Sequence, residues 1–339
     1  MKILTPMRAL SSLAILGSIL IGALMVGLAA GPSGLGVAEI LSVLADRDAA
    51  GPAADIVLRV RLPRVLLGAL VGACLAVSGV LFQAMLRNPL ADPYVLGVSG
   101  GAALGGILVL SLGSAVGLGY EDVPYGAFAG CLITTAILYA IAGVNARVST
   151  TSLLLTGVVF NAFASAAIVF LASMAGLTES ASIFLWLIGS LSSIQIEMSG
   201  RVAAFLILGL GCTIPLARSL NLSALGGESA EQLGVDIDRQ RRVVLIASSL
   251  MVGAAVSVAG LIGFVGLIIP HLLRIIFGPD HRLLIPASAL GGAAFLVICD
   301  AIARTVLDGR ELPVGAITAL AGGPLFLWLL RRYHQRVLS

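Results

Sequence analysis

Ten apolar runs, most of them about twenty residues long, follow one another along this chain. They are 9–30, 63–86, 94–113, 125–144, 152–174, 200–218, 240–260, 262–277, 283–304 and 313–331. About 20 consecutive apolar residues are what a helix needs to cross the hydrocarbon layer of a bilayer. A water-soluble surface is not available as an alternative, because only 11% of the 339 residues are charged, against about 25% in soluble domains. The mean hydropathy is +1.09. The pattern predicts an all-α, polytopic membrane protein of about ten transmembrane helices, forming one domain over residues 1–339.

Two of these boundaries need argument. Residues 240–277 are apolar throughout, and they are divided because Gly260, Gly263, Gly266 and Pro270 weaken a continuous helix. Ile183–Ile194 is apolar but only 12 residues long, so a re-entrant or interfacial helix is expected rather than a span. Lys2 and Arg8 flank the first run, and Arg331, Arg332 and Arg336 follow the last. By the positive-inside rule both termini are then cytoplasmic, which demands an even number of crossings. Ten crossings divide the 20 arginines and lysines into 13 inside, Arg87 and Arg147 among them, and 7 outside: Arg47, Arg59, Arg61, Arg64, Arg201, Arg304 and Arg310. Ala29-Ala30-Gly31 resembles a leader-cleavage site. The run before it exceeds the roughly 7–15 residues of a leader's apolar core, so a retained first span is expected.

The scarcity of reactive groups excludes several functions. Lys2 is the single lysine, so no phosphate-binding loop of the G-x-x-x-x-G-K-[ST] form exists and a nucleotide would have to bind another chain. Cys74, Cys131, Cys212 and Cys299 are far apart in apolar runs and read as small packing residues. His271, His281 and His334 form no metal motif, and His271 beside Pro270 and Arg274 reads as structural rather than as a haem ligand. A membrane enzyme would need clustered acid, base or metal-binding groups, and none is spaced usably. An ion-coupled secondary transporter is the alternative function. Such carriers use ionisable groups near the midplane, whereas Asp300 is the one acid within an expected span and sits near its end.

Small residues recur every four positions at Gly68/Gly72/Ala76, Gly126/Gly130 and Gly315/Ala319/Gly323, which predicts close helix packing. The longest external loop, 31–60, contains Asp46, Arg47, Asp48 and Asp55. Between the second and third runs lies a polar hinge, Leu86-Arg-Asn-Pro-Leu-Ala-Asp-Pro-Tyr-Val-Leu-Gly-Val-Ser-Gly-Gly-Ala-Ala-Leu-Gly105. Pro89 and Pro93 break the helix. Asp92 as a cap and Pro93 at the first helical position predict that a new helix starts there. The cytoplasmic segment 219–242 contains Gly227-Glu-Ser-Ala-Glu-Gln-Leu-Gly234. It predicts a short helix over Glu228–Leu233 stopped by Gly234, then Asp236 as the next helix's cap and Asp238 in its first turn.

The Arg61-Leu-Pro-Arg64 start, the hinge, Gly260-Leu-Ile-Gly-Phe-Val-Gly-Leu-Ile-Ile-Pro-His-Leu-Leu-Arg274 and Glu311-Leu-Pro-Val-Gly-Ala-Ile-Thr-Ala-Leu-Ala-Gly-Gly-Pro324 together resemble one family. It is that of the permease subunits of ATP-driven (FecCD-type, type II) importers for iron–siderophore complexes, haem and cobalamin. The likeness covers nearly the whole chain. It implies a homodimer in the plasma (inner) membrane of a bacterium or archaeon, two ATP-binding cassette subunits and an external substrate-binding protein. ATP and magnesium would sit on the ATPase, and no cofactor, metal or nucleic acid is implied for this chain. Arg61, Arg64 and Arg304, with Arg59 a weaker candidate, match external arginines that receive the binding protein's glutamates. Guanidinium groups suit that task because they bond carboxylates bidentately. Read without the family, the same residues are interfacial snorkelling arginines, with Asp300–Arg304 an i,i+4 pair. Segment 219–242 matches the coupling helices that fit a groove of the ATPase, with Glu228, Ala230, Leu233 and Gly234 in contact; otherwise it is an amphipathic linker. Asn88, Leu90, Thr150 and Thr151 match the cytoplasmic gate of the pathway, although simple N-capping also accounts for the threonines. The motifs do not distinguish ferric siderophore, haem and cobalamin.

Overall fold

The computed structural model describes residues 5–31, 33–46, 50–142, 150–191, 196–307 and 310–337. Lys2, Arg47, Asp48, Arg147 and positions 192–194, used in the expectations above, lie outside the described residues. Every regular element among the described residues is helical. Helix α1 (Pro6–Ala29) starts where Thr5 accepts the Arg8 amide with Pro6 at the first position, the expected arrangement for a proline-led helix. An amphipathic helix α2 (Val37–Ala45) follows. Helix α3 runs over Pro52–Met85, and its segment Asp55–Arg61 is wound as a π-helix. Then come α4 (Val98–Leu112), α5 (Val123–Ala142), α6 (Thr150–Met174), α7 (Leu177–Ile188) and α8 (Ile196–Thr213). Two short helices, α9 (Ala217–Ser223) and α10 (Gly227–Gln232), lead to α11 (Ile237–Ala259), α12 (Val265–Phe277), α13 (His281–Thr305) and α14 (Val314–Val337).

Among the described residues seven helices are long and apolar enough to cross a membrane, and an eighth span arises if α8 and α9, bent by 60°, count as one. The other two predicted runs give shorter apolar helices, Val265–Phe277 and Val314–Leu327. The predicted break in 240–277 is present. Gly260 (φ 69°) and Phe264 (φ 70°) hold the chain in left-handed conformations between α11 and α12, where a regular helix cannot continue. Segment Ile183–Ile194 contributes to α7, which ends at Ile188 before Gly189 (φ 78°).

Helix α3 is the central pillar, packed by α13, α11 and α12. In its most apolar window 83% of residues are buried, against 28% in α1 and 22% in α6. The predicted glycines explain how the pillar is reached. A methyl group on Gly72 would overlap the Gly292 carbonyl of α13, and one on Gly105 would overlap the Gly126 carbonyl of α5. Since lipid tails are as apolar as leucine, such backbone-to-backbone contact supplies the packing attraction that the hydrophobic effect supplies in water. The third stripe is used at Gly315, against the Ile188 carbonyl, but Gly323 meets nothing within 4 Å.

The hinge departs from its prediction. Asp92 Oδ1 accepts the Tyr94 amide at 2.8 Å and Val95 N–H donates to the Asp92 carbonyl at 3.0 Å, closing a turn. The helix then starts only at Val98, after Gly97 at φ 79°. The capping signal at Asp92–Pro93 is therefore spent on a turn, and the left-handed glycine sets the true start.

Candidate functional site

Three places carry the polar side chains that the bundle does not use merely to pack. The first lies where α1 ends, α3 begins and α13 ends. Arg64 Nε and Nη2 donate to Asp300 Oδ1 at 3.1 and 2.9 Å, and Nη1 donates to Glu311 Oε2 at 2.8 Å. Arg304 Nε lies 3.0 Å from Asp300 Oδ2. Its Nη2 and Nη1 donate to the carbonyls of Gly27 at 2.8 Å and Ala30 at 2.9 Å. Arg61 donates to the carbonyls of Leu28 at 2.6 Å and Ala29 at 3.2 Å, and to Ser33. Three guanidinium groups thus face two carboxylates, and the remaining positive charge is met by the last carbonyls of α1, the negative end of its dipole.

The docking expectation set these three arginines on an outward face. The structure does bring Arg61, Arg64 and Arg304 together, but all three are buried and each is engaged within the chain. Within the chain, Asp300 and Glu311 supply carboxylates to Arg64, and Asp300 also to Arg304. The half-exposed Glu311 side chain is the one member that reaches the surface substantially. Arg59 points outward, paired with Asp55 at 3.0 Å.

Beside Glu311 opens a cavity of about 920 Å³, walled by Tyr120, Tyr125, Trp186, Met198 and Arg201. Arg201 donates to the Tyr125 hydroxyl at 2.7 Å and lies 5.3 Å from its ring centroid. The size falls within the roughly 300–1,000 Å³ of small-molecule sites.

The second place is the segment 219–242, which folds as predicted. Helix α10 covers Gly227–Gln232. Gly234 is left-handed (φ 84°), its N–H donates to the Glu231 carbonyl, and Val235 N–H reaches back to the Ala230 carbonyl at 3.0 Å. These are the bonds of a glycine-terminated helix. Asp236 Oδ1 accepts the Arg239 amide at 2.9 Å and caps α11. Glu228, Glu231, Leu233 and Gly234 are exposed, while Ala230 is fully buried. Ala230 therefore fixes the helix to the bundle and offers a partner nothing.

Sequence reasoning missed what holds this segment in place. Asn221 on α9 donates through Nδ2 to Asp280 Oδ1 at 2.8 Å, and its Oδ1 accepts the His281 amide at 2.9 Å. His281 Nδ1 lies 2.7 Å from the same oxygen; an amide oxygen only accepts, so this nitrogen carries the proton. Asp280 caps α13 through the Arg282 amide and is gripped by the Arg282 guanidinium. That guanidinium is the main reason the Asp280 carboxyl is held down at about 2. Ser223 donates to Gln240 Oε1 at 3.1 Å, a second tie from α9 to α11. The cap was legible: Gly278-Pro-Asp280 before an apolar run marks a helix start. Its partner 59 residues away was not.

The third place is the hinge. Asn88 Oδ1 accepts the Leu90 amide at 2.9 Å, and both residues are exposed. Thr150 is the first residue of α6 and half-buried, and Thr151 is exposed. Among the described residues no hydrogen bond joins the asparagine to the threonines. Asp92 behind them is buried, and burial pushes its carboxyl up to about 6.

Comparison with known proteins gives one consistent answer. The profile of the FecCD transport family matches residues 19–332. The cobalamin import system permease protein BtuC of Halobacterium salinarum is 45% identical over 279 residues, covering 82% of this chain and 74% of that one. The hemin transport system permease protein HmuU of Yersinia pestis is 42% identical over 287 residues, covering 82% and 84%. A solved inward-facing conformation of a metal-chelate type ABC transporter superposes with a TM-score of 0.82 at 31% identity, covering 95% of this chain and 99% of that one.

Proposed function

The chain belongs to the FecCD transport family, as an integral membrane permease subunit of an ABC importer, and we propose that it forms half of the pathway for a bulky metal chelate. Cobalamin, haem and ferric siderophores are the candidates. Two copies would enclose the pathway on a two-fold axis, two ATPase subunits would bind ATP and magnesium, and an external binding protein would deliver the substrate. Both termini would be cytoplasmic, in the plasma (inner) membrane, with ten crossings that include the short α12 and α14.

The observation that carries this reading is the segment between α8 and α11. A separate helix of six residues, capped at its end and presenting Glu228, Glu231 and Leu233 to solvent, suits insertion into a groove of another protein. Helix α6 supports the dimer: Leu155, Val158, Val159 and Phe163 are exposed on it, available to a second copy and to a weakly adhesive channel. The gate is assigned to Asn88, Leu90, Thr150 and Thr151 on the cytoplasmic side. For docking, a binding-protein carboxylate would reach Arg64 by taking the place of the half-exposed Glu311, with Arg61 and Arg304 holding the site from behind.

Ion-coupled secondary transport is disfavoured by the chemistry of Asp300. It is ion-paired to Arg64 and Arg304 and nearly dry, so it is poorly suited to take up and release a proton or cation at each cycle. The test is co-purification with an ATPase chain, followed by uptake into proteoliposomes containing both. ATP-dependent uptake of cyanocobalamin, haemin or a ferric siderophore supports the proposal. Uptake driven by an ion gradient without an ATPase would replace it with the secondary carrier.

A further inference from the structure

Helix α13 joins two polar sites at opposite ends of the bundle. Its cytoplasmic start, Asp280–His281, is held by Asn221 of α9 through Nδ2–H···Oδ1 at 2.8 Å and a backbone N–H···Oδ1 at 2.9 Å. Its outer end carries Asp300 and Arg304, which hold Arg64 of α3 and the last carbonyls of α1. The helix has 25 residues, so the two ends stand about 37 Å apart at 1.5 Å per residue.

Between its ends α13 cannot slide freely. The Gly72–Gly292 approach leaves no room between its backbone and that of α3, and Asp300–Arg64 joins the same two helices near the outside. A helix pair fixed at two points moves as a body, because packed interfaces adopt discrete arrangements rather than deforming continuously. The cytoplasmic tie is of a different kind. Asn221 sits on a seven-residue helix immediately before the exposed α10, and its bonds to α13 are few, polar and partly exposed.

We propose that Asn221 is a positioning residue for transport: it fastens the coupling segment to α13, so that displacement of α10 by the ATPase reaches the outer ion cluster through the α13–α3 pair. This rests on the reading of segment 219–242 as the ATPase contact. It assigns to the asparagine a role that its bonds make specific, since it donates to a carboxylate and accepts from a backbone amide at one helix start. By linkage the path runs both ways, and events at the outer cluster bias the coupling segment equally.

The experiment uses the assembled transporter, permease with ATPase, in proteoliposomes, and reads ATP hydrolysis with and without saturating binding protein. Asn221→Asp places a carboxylate against Asp280 and removes the donor. It is expected to keep the ATPase subunits bound and basal hydrolysis within twofold, while stimulation by the binding protein falls at least fivefold. The double variant, Asn221→Asp with Asp280→Asn, reverses donor and acceptor. Asp280 Oδ1 meets both the Asn221 donor and the Arg282 amide, so the amide introduced at position 280 must turn its Nδ2 to the carboxylate introduced at position 221 and its oxygen to the Arg282 amide. Recovery of stimulation to within twofold of wild type is expected, which general damage to the fold would not give. Where the single variant fails to assemble, the double variant decides alone: assembled and stimulated, it supports the proposal, and assembled without stimulation, it overturns it. Wild-type stimulation in Asn221→Asp overturns it as well. A wild-type chain that binds no ATPase would remove the transport reading together with this one, so the two failures are distinguishable.

Discussion

At its C-terminal end α13 carries Asp300 and Arg304 into a nearly dry cluster, with side chains 2% and 4% exposed. At its N-terminal end Asp280 and Arg282 are 21% and 47% exposed, and Asn221 closes the contact with hydrogen bonds. Both ends use a carboxylate, an arginine and a helix terminus, yet water access makes them opposites. Buried charges attract strongly and cannot be separated without leaving one uncompensated. Exposed pairs contribute roughly 0–1 kcal/mol and exchange partners with little penalty. The Asp300 end is therefore held more firmly than the Asp280 end.

The largest effect expected from breaking this contrast is at Asp300. Asp300→Ala leaves Arg64 and Arg304 buried without their shared acid, and a loss on the order of 3–5 kcal/mol is expected, read as a collapse of the melting temperature in detergent. A wild-type melting curve would mean the cluster is wetter than its geometry implies. The same argument changes how docking must be tested, because reversing Arg61 or Arg64 to glutamate would damage the protomer before it reports on a partner.

Asp92 sharpens the comparison from the other side. It is buried, as Asp300 is, but has no ion pair among the described residues. Its folded pKa, about 6, lies above the ordinary value, so the fold favours the protonated form. Stability from this group is full below about pH 4, is lost as pH rises through about 6, and stays flat above. The span is on the order of 3 kcal/mol. Asp92→Asn keeps the acceptor for Tyr94 and should melt higher than wild type at pH 7.5, with the two curves converging near pH 4. A constant difference across that range would remove the burial argument.

Smaller still is Glu311→Gln. It weakens an outer pair whose acid is half in water, so stability should change by no more than about 1 kcal/mol. Binding-protein affinity should rise a few-fold as Arg64 loses its internal competitor. Unchanged or weaker binding would sever Arg64 from docking. Last, Glu228→Lys with Glu231→Lys touches exposed side chains alone and should move the melting temperature by less than the equivalent of about 0.5 kcal/mol. Substrate uptake should nevertheless fall, and normal uptake with normal ATPase association would refute the coupling assignment.

What could be read from the sequence was local. Apolar runs, the Gly234 stop and the Asp236 cap each depend on a few neighbouring residues; the runs give helices, seven or eight of them long enough to span among the described residues, and the stop and cap appear where expected. The bonds that decide the sites were out of reach. The Asp300–Arg304 pair, four positions apart, is the exception that the sequence offered; Arg64 meets acids 236 and 247 positions away, and the backbone carbonyls that hold Arg61 and cap Arg304 leave no trace in residue type. The hinge misled for a related reason: Asp92–Pro93 carries a sound capping signal, but the chain uses it for a turn and starts the helix after Gly97.

The π-helical stretch Asp55–Arg61 has a consequence for the outer face. Each residue of an α-helix advances about 100° around the axis, and a π-bulge accommodates a residue beyond the normal turn. The bulge therefore shifts the phase of everything before it relative to Leu62 onward. Within the stretch itself two residues advance about 200°, so Arg59 faces outward where Arg61, two positions on, faces inward. Deleting Val60 would set Arg59 and Arg61 about 100° apart instead of about 200°. The division of labour among these arginines, which stay hidden and which meets the outside world, is thus a matter of register, one that a single-codon insertion or loss can rewrite without changing any arginine.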